Sequence, residues 1–441
     1  MTSAPTSQDR QCLILDPGLR VSSGHHQNAA LHIVEDAKDA GFSVRVLASR
    51  FASDAVIEKL RAEPVFTNSA YSMGDGSTAA FDRYASTTFD ALIAALGPDL
   101  TAPDVIVLPT ADAALAEALA RYLEMVPEDR RPGVIAWLLL PRDFLRMNTP
   151  AAQGGVLRGF HRLDAALPRD RFRVFVETEA VRASFAEDFS VEIEIAPSPS
   201  TALQPLTAEG READQPLTFS GFGHIRPGKG FELFPEAIRI AKAARPDIVF
   251  RIHATPGRSE GAEADLVAAM AAAAPDVEVI ARELDGPEYN ALLGRADVAL
   301  LPYDPAIYAE RGSGIFNEFE QLGKPVVATA GCSFAARAIA DGRAIAAQDY
   351  SPQALAAAIV EAADHFDDLS VRCRAFAEDR AAGGSSASLG DLLLASAPDV
   401  NAPRYKPEGT TMLYLRARLL HSLRVLARAR EIRKARAHGR G

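Results

Sequence analysis

The stretch Glu310-Arg311-Gly312-Ser313-Gly314-Ile315-Phe316-Asn317-Glu318, followed by Gly323-Lys324-Pro325-Val326-Val327, decides the fold of the second half of the chain. Its two acids lie eight positions apart around a turn that contains two glycines. The glycines let the backbone pass close to a ligand, and the pattern predicts a helix over about 315–322. The free N–H groups and the dipole at the start of such a helix suit an anion such as a pyrophosphate. An ordinary strand–turn–helix unit with solvated acids is the alternative.

On both sides of this stretch, short apolar runs alternate with helical patterns. This alternation predicts a parallel sheet with helices on both faces. The predicted strands are 217–222, 248–253, 277–281, 298–302 and 325–329, and the predicted helices are 230–244, 260–274, 287–295, 315–322 and 351–366.

The first half of the chain repeats the alternation. Its predicted strands are 12–15, 43–48, 104–109, 133–140, 172–176 and 191–195, and its predicted helices include 28–40, 111–125 and 179–187. We therefore predict an α/β protein with two Rossmann-like, doubly wound domains facing a cleft, at 10–200 and 214–395, and a tail at 401–441. The Pro- and Ser-containing segment 196–215 is the predicted linker. No Gly-x-Gly-x-x-Gly pattern follows the first strand, which argues against an NAD or FAD site there.

Length and composition exclude several classes of protein. The chain has 441 residues, 48% of them hydrophobic, which is enough for two or three packed domains. The polar start predicts no signal peptide, and no apolar run reaches the ~18 residues of a membrane span. Cys12, Cys332 and Cys373 are scattered without metal-site spacing. This odd, scattered set predicts a protein of the reducing cytoplasm without a disulfide framework.

The charge of the chain is unevenly distributed. Its formal net charge is −11, yet residues 411–441 contain nine Lys or Arg and one acid, Glu431. This segment therefore carries +8 and the remainder carries −19. An acidic body argues against a nucleic-acid partner.

The basic segment predicts an amphipathic helix over 411–436. Three roles remain open for it: docking on the acidic body, binding another subunit, or lying on an anionic membrane surface. Its predicted apolar stripe consists of Met412, Leu415, Leu419, Leu423 and Leu426.

Two motifs of the second half resemble the retaining glycosyltransferases of the two-domain GT-B type, in particular family 4 (glycosyltransferases group 1). That family has two acids separated by seven residues and then Gly-x-Pro-Val, as Glu310, Glu318 and Gly323–Val326 do here. It also has a glycine turn ending in Lys-Gly after the first strand of its second domain, here Gly223–Gly230. The resemblance covers about 214–370. His224 stands where the family has arginine, and Arg226 is the substitute cation.

The resemblance implies transfer of a sugar, typically a hexosyl group, from a nucleotide-diphosphate sugar with retention. Glu310 would contact the donor sugar, and Glu318 would accept the ribose hydroxyls. Lys229 and Arg226 would stabilise the charge that develops on the leaving phosphate, which itself serves as the base. No Asp-x-Asp triplet occurs, so neither a metal nor another cofactor is expected. The predicted donor-binding residues are Gly223, His224, Gly312, Ser313, Gly314, Ile315 and Glu318, beside the predicted catalytic set Glu310, Lys229 and Arg226.

A turn in the first half is the predicted acceptor- or phosphate-binding segment. Gly24, His25 and His26 follow the first predicted strand and would contact the acceptor or the donor phosphate. Ordinary loop histidines are the alternative. The family often has a histidine after a mid-domain strand of this half, whereas this chain has Leu139-Leu140-Pro141-Arg142 there.

Three functions follow as expectations. The first is a cytoplasmic glycosyltransferase of polysaccharide synthesis, alternatively peripheral on the inner membrane face, with a glycan or lipid-linked acceptor. The second is a sugar-nucleotide epimerase or phosphorylase of the same fold. The third is a non-catalytic nucleotide-sugar-binding scaffold, which the replaced arginine and the missing histidine favour.

Overall fold

A computed structural model describes residues 10–21, 24–68, 77–97, 100–140, 142, 150–199, 215–255, 261–381, 388–398, 405 and 410–438. Within it, side chains are described except at 150–156 and 427–438. The chain folds into two compact units. The first is Met1–Glu177, Val181–Ser200 and Ala387–Gly441, and the second is Thr178–Ala180 and Thr201–Ser386. Most of the predicted linker, at 200–214, lies outside the described residues.

The first unit contains a seven-stranded parallel sheet of order β3-β2-β1-β4-β5-β6-β7. Its central strands are short apolar runs buried on both faces, as helices on both sides of a sheet require. The strands are β1 (Arg10–Asp16), β2 (Phe42–Ser49), β3 (Glu63–Phe66), β4 (Val105–Leu108), β5 (Gly133–Leu138), β6 (Phe172–Val176) and β7 (Ile193–Ile195).

Helices cover both faces of this first sheet, and two separate apolar clusters form the layers between them. Capping sets where several helices begin: the Ser77 hydroxyl accepts from Ala80 N, and the Asp112 carboxylate accepts from Ala114 N and Leu115 N. The helices up to this unit's last strand are α1 (His25–Asp39), α2 (Asp54–Leu60), α3 (Thr78–Leu96), α4 (Ala113–Leu123), α5 (Pro150–Ala165) and α6 (Glu179–Phe185).

The second unit contains a six-stranded parallel sheet of order β10-β9-β8-β11-β12-β13. Again two apolar clusters fill the layers on its two faces. The doubly wound α/β architecture predicted for both halves is confirmed. The strands are β8 (Thr218–His224), β9 (Val249–Thr255), β10 (Val277–Ile280), β11 (Val298–Leu301), β12 (Val326–Thr329) and β13 (Ala344–Ala347).

The helices of the second unit follow its strands in turn. Side-chain caps fix where two of these helices begin. Asp285 and Glu288 form a capping box at the start of one, and Ser351 caps another that has Pro352 at its first position. The helices are α7 (Phe234–Ala244), α8 (Ala262–Ala271), α9 (Gly286–Arg295), α10 (Pro305–Tyr308), α11 (Gly314–Gln321), α12 (Ser333–Ala340), α13 (Pro352–Asp364) and α14 (Phe366–Ala381).

The last two helices, α15 (Leu389–Ser396) and α16 (Thr411–His438), belong to the first unit. The second domain was predicted to extend to 395, whereas α15 packs on α1 and β5. Leu393 is fully buried in that first-unit layer, which is why the chain returns there.

Helix α16 spans the predicted segment, but it does not show a single apolar face. Ala417 is buried and Leu413 partly buried against the first-unit core, while the predicted stripe lies on the exposed side. Apolar residues therefore occupy two faces of this helix. In the described part of the chain, no helix is both long enough and apolar enough to span a membrane.

Candidate functional site

The candidate site of the second unit lies where its strand order reverses. Strands β8 and β11 are neighbours, and the chain leaves them toward opposite edges of the sheet. Ligands of open α/β sheets bind outside the carboxyl ends of the strands at such a switch point. The predicted glycine turn follows β8, and the stretch Glu310–Glu318 lies beyond β11.

The glycine turn after β8 is held by close backbone approach. Gly223, Gly228 and Gly230 all have positive φ (120°, 82° and 73°), which side chains rarely adopt. A Cβ at Gly230 would lie 1.9 Å from the carbonyl oxygen of Pro302, so only glycine fits. Asp304 N also donates to Gly228 O at 3.0 Å. The turn is thus fixed against the segment that follows β11.

Lys229 lies on this turn and is buried, so it is not a solvated loop lysine. Its Nζ is 3.7 Å from the centroid of the Tyr303 ring and 5.3 Å from that of Tyr308. Burial holds the pKa of Lys229 well below its usual value, Arg226 adds to this, and Glu318 opposes it. The structure thus holds the Lys229 amino group on an aromatic platform, where its charged form carries a desolvation cost. Arg226 Nη2 donates to the Tyr308 hydroxyl at 3.0 Å, which joins the two predicted cations to one ring.

The N-terminus of α11 provides the second anion-binding element. Ser313 caps the helix, its hydroxyl accepting from Phe316 N at 3.3 Å, and it is buried. Gly312 precedes this cap. Space is open where a Cβ at Gly314 would lie, and at Gly223 the nearest atom would be Ile315 Cδ1 at 3.7 Å. The start of α11 therefore lies near the Gly223 turn, and the position of a Gly314 side chain is open.

Glu318 is buried, in contrast to the alternative of a solvated helix acid. Its Oε2 accepts from the Tyr289 hydroxyl at 2.7 Å. Burial raises the pKa of Glu318 to about 7, although Tyr289 and Lys229 both lower it. A buried carboxylate with acceptor capacity left over suits neutral hydroxyl donors, which bring no charge of their own.

Two predicted site residues are less enclosed. Glu310 is half-buried in the segment before α11, and the neighbouring Arg311 O accepts from the Ser333 hydroxyl at 3.4 Å. His224 is 63% exposed, with Nδ1 3.9 Å from Glu283 Oε1. The structure thus groups Lys229, Arg226 and Glu318 closely, while His224 lies at the open end of β8.

Several aromatic residues of this site were not predicted. They are Tyr289, Tyr303 and Tyr308. His253, at the end of β9, is also buried; its Nε2 lies 3.0 Å from both Arg282 O and Thr255 Oγ1, and burial lowers its pKa. Tyr303 directly follows a strand end, which was the one available signal.

The first unit has its own switch point, between β1 and β4. Asp16 ends β1 and is fully buried. Its carboxylate lies 2.9 Å from His26 Nδ1 and accepts from Gly18 N at 2.9 Å. A Cβ at Gly18 would be 2.1 Å from the His26 ring, so this glycine admits the imidazole. His26 is therefore a positioned group, paired with a carboxylate that was not predicted.

The predicted segment Gly24–His26 lies at the start of α1, and no side chain caps the first turn of this helix. Gly24 has φ 80° and precedes α1, and the His25 ring lies 4.0 Å from that of His26.

A second buried carboxylate lies in the turn between β4 and α4. Asp112 accepts from the Tyr84 hydroxyl at 3.3 Å and caps α4. Burial raises the pKa of Asp112 to about 7, and the nearby Asp16 contributes in the same direction. Neither Asp112 nor Tyr84 was predicted as a site residue, because the two meet only where α3 packs against α4.

A separate cavity lies away from this switch point. It has a volume of about 1250 Å³ and lies at the amino ends of the second sheet, near Thr218, Asp297 and Lys324. Its polar groups already serve the fold. Lys324 Nζ donates to three carbonyls, at 3.1, 2.6 and 2.7 Å, and Asp297 accepts from Thr218 N. The unpaired chemistry at the switch point therefore makes it the better candidate site.

The described side chains include no group of three His, Cys, Asp or Glu that could hold a metal ion. The expectation of a metal-free reaction stays a prediction.

One known protein family matches a large part of the second unit. Residues 217–365 match the family described as glycosyl transferases group 1. The predicted resemblance is confirmed for this part of the chain, which contains the Gly223–Gly230 turn and the stretch Glu310–Glu318. No curated protein sequence matches the chain.

Solved structures share the two-domain fold. The glycotransferase of kitacinnamycin is 19% identical, with a TM-score of 0.58, over 88% of this chain and 99% of that one. An E. coli trehalose-6-phosphate structure bound with UDP-2-fluoro glucose is 11% identical, with a TM-score of 0.58, over 90% and 100%. A putative UDP-N-acetylglucosamine 2-epimerase from Listeria monocytogenes is 13% identical, with a TM-score of 0.52, over 85% and 94%. These likenesses establish a GT-B-like fold for the chain.

Proposed function

We propose that the protein transfers a sugar from a nucleotide-diphosphate sugar to an acceptor, with retention of the anomeric configuration. The observation that carries the proposal is the buried amino group of Lys229 and the buried carboxylate of Glu318 at one switch point, where α11 also begins. An anionic diphosphate and a neutral ribose diol are complementary to these two kinds of group.

The positive groups would act most strongly in the transition state. Departure of the nucleotide places new negative charge on the leaving phosphate, and a buried cation stabilises it more than water would. Lys229 is held over its aromatic platform before any ligand arrives, so little reorganisation is needed. Arg226, attached through the Tyr308 hydroxyl, adds a second positive charge.

The carboxylates would set the donor's position. Glu318, oriented by the hydrogen bond from Tyr289, accepts hydrogen bonds from the ribose hydroxyls. The half-buried Glu310 contacts the transferred sugar. As in the family that this half resembles, an oxygen of the leaving phosphate takes the acceptor's proton. No protein nucleophile and no metal are required, so chelation with EDTA should leave the rate unchanged.

The acceptor would be bound by the first unit. The His26–Asp16 pair offers a hydrogen-bonding imidazole that a hydroxyl of a glycan or lipid-linked acceptor could meet, with Gly24 and His25 in the same turn.

Bound UDP-2-fluoro glucose in the E. coli structure supports a nucleotide-sugar donor for this fold.

The test begins with a thermal-shift screen against UDP, GDP and ADP sugars, since a ligand that binds the folded state raises the melting temperature. Donor hydrolysis is then measured for the wild type and Glu310→Gln, and the anomeric configuration of the product is read by proton NMR. A retained anomer and a hydrolysis rate that falls in the variant support the proposal. An inverted product refutes retention.

A second candidate is a sugar-nucleotide epimerase, which the fold of the Listeria monocytogenes structure favours. The same assay separates the two. An epimerase converts the nucleotide sugar without requiring an acceptor, so its sugar product is an epimer rather than a glycoside. Binding without any turnover would instead indicate a scaffold.

A further inference from the structure

Helix α16 presents an apolar stripe that the fold leaves exposed. Five large apolar side chains on one face are half-exposed or more, and their spacing of three or four residues keeps them in a continuous row. They are Met412 (75% exposed), Leu415 (50%), Leu419 (61%), Leu423 (53%) and Leu426 (58%). Contiguous exposed apolar surface of this kind marks an interaction site rather than a folding core.

The opposite face of α16 fixes the helix to the first unit. Ala417 is fully buried, Leu413 packs against the first-unit core, and the helix lies along α3. Arg424 forms an ion pair with Asp90 of α3, and the half-buried His421 lies near both of these charges. These contacts hold α16 against the first unit through one face, so the exposed stripe is not needed to keep the helix in place.

The positive charge of residues 411–441 indicates the chemistry of the surface that the stripe would bind. Residues 411–441 contain nine basic residues and one acid, against a net −19 in the rest of the chain. Arg416 and Arg418 are exposed beside the stripe. An apolar row bordered by cations is complementary to a surface that offers both acyl chains and negative headgroups.

A second copy of this chain is a poorer occupant. Pairing two stripes would bring two segments of +8 together, with one acid in each to compensate. Like charges opposed across an interface cost affinity and slow association.

We propose that α16 docks the protein on an anionic lipid surface, with Met412, Leu415, Leu419, Leu423 and Leu426 entering the acyl region and the flanking arginines at the headgroups. This inference goes beyond the proposed sugar transfer and does not depend on it.

The test is co-sedimentation of the full chain with vesicles of phosphatidylcholine alone or with phosphatidylglycerol. We expect binding to the anionic vesicles only, weakening as salt rises. The double variant L419E/L423E should bind at least about tenfold more weakly, because four apolar methyl ends and their stems no longer enter the bilayer. Removing one flanking charge in Arg416→Gln should weaken binding about fivefold, at roughly 1 kcal/mol per basic residue.

A control is Val371→Glu, which places one carboxylate, against two in L419E/L423E, at another exposed apolar residue, 59% exposed on α14. It should bind anionic vesicles as the wild type does. Circular dichroism melts of all variants should coincide, since each changed side chain is exposed. Equal binding by L419E/L423E and the wild type, or no binding to anionic vesicles, would overturn the proposal. So would a dimer in sedimentation equilibrium that L419E/L423E dissociates, which would assign the stripe to a second copy.

Discussion

The two switch points have the same topology and different sets of charged groups: two cations lie at the second-unit site, and a pair of buried carboxylates lies at the first. In the second unit, the turns after β8 and β11 gather Lys229, Arg226 and the N-terminus of α11 around aromatic rings. In the first unit, the equivalent strand ends β1 and β4 gather Asp16 and Asp112 around His26 and Tyr84. The parallel sheet fixes where the chain turns, and the residues at the turns decide what is bound. Under the proposed function, the second-unit site would bind an anion and the first-unit site hydroxyl groups.

The largest effect is expected from Lys229→Met, which removes the cation but keeps the stem on Tyr303. Loss of one preorganised charge at a developing phosphate anion should lower kcat about 10²–10³-fold. Because a buried charge is lost, the melting temperature should stay the same or rise. The matched control is Lys324→Met, whose ammonium donates to three carbonyls. It should lower the melting temperature while the folded protein keeps its kcat. The reverse pattern would assign Lys229 to the fold and end its catalytic role.

The next effect concerns Glu318 and pH. Its pKa of about 7 means that the free protein gains the carboxylate as pH rises through neutrality. Donor affinity should therefore rise through this range. Burial lowers the pKa of Lys229, so loss of its proton as pH rises should oppose that rise. Glu318→Gln should weaken donor binding about tenfold, the size of one charge-assisted hydrogen bond, and abolish the acidic limb.

Titration calorimetry at several pH values measures both effects. The companion variant Tyr289→Phe keeps the carboxylate but removes one hydrogen bond, so its acidic limb should move to higher pH. An acidic limb unchanged in Glu318→Gln would show that another group titrates there.

A smaller effect is expected in the first unit and separates its role from that of the second. His26→Gln and Asp16→Asn should each lower transfer to the acceptor about tenfold, the size of one lost hydrogen bond. Donor affinity and acceptor-independent hydrolysis should stay at the wild-type level. Steady-state kinetics with both substrates checks this. If both variants instead weaken donor binding, the first-unit turn contacts the donor phosphate.

The smallest effect is expected from His224→Arg, which restores the residue that the family has. His224 is 63% exposed, so a cation there faces solvent and its charge is screened. The rate of sugar transfer should change less than about threefold. An increase of tenfold or more would show that Arg226 does not substitute for the missing arginine.

The sequence predicted what depends on local pattern and register. Short apolar runs located β8 to β12 within one or two residues, and the motif spacing placed Lys229 and Glu318 in the same unit. Strand β13 was missed because Ala344-Ile345-Ala346-Ala347 has little apolar contrast with its neighbours. The pairs Glu318–Tyr289 and Asp112–Tyr84 could not be predicted, since each joins residues 28 or 29 positions apart through tertiary packing. The two apolar faces of α16 were missed for the same reason.

The most direct test is calorimetric binding of a nucleoside diphosphate and of the matching nucleoside to the wild type and Lys229→Met, for the base that the thermal-shift screen selects. The account predicts that the wild type binds the diphosphate much more tightly than the nucleoside, and that Lys229→Met loses most of this preference while binding the nucleoside unchanged. A Lys229→Met protein that keeps the full preference for the diphosphate would contradict it.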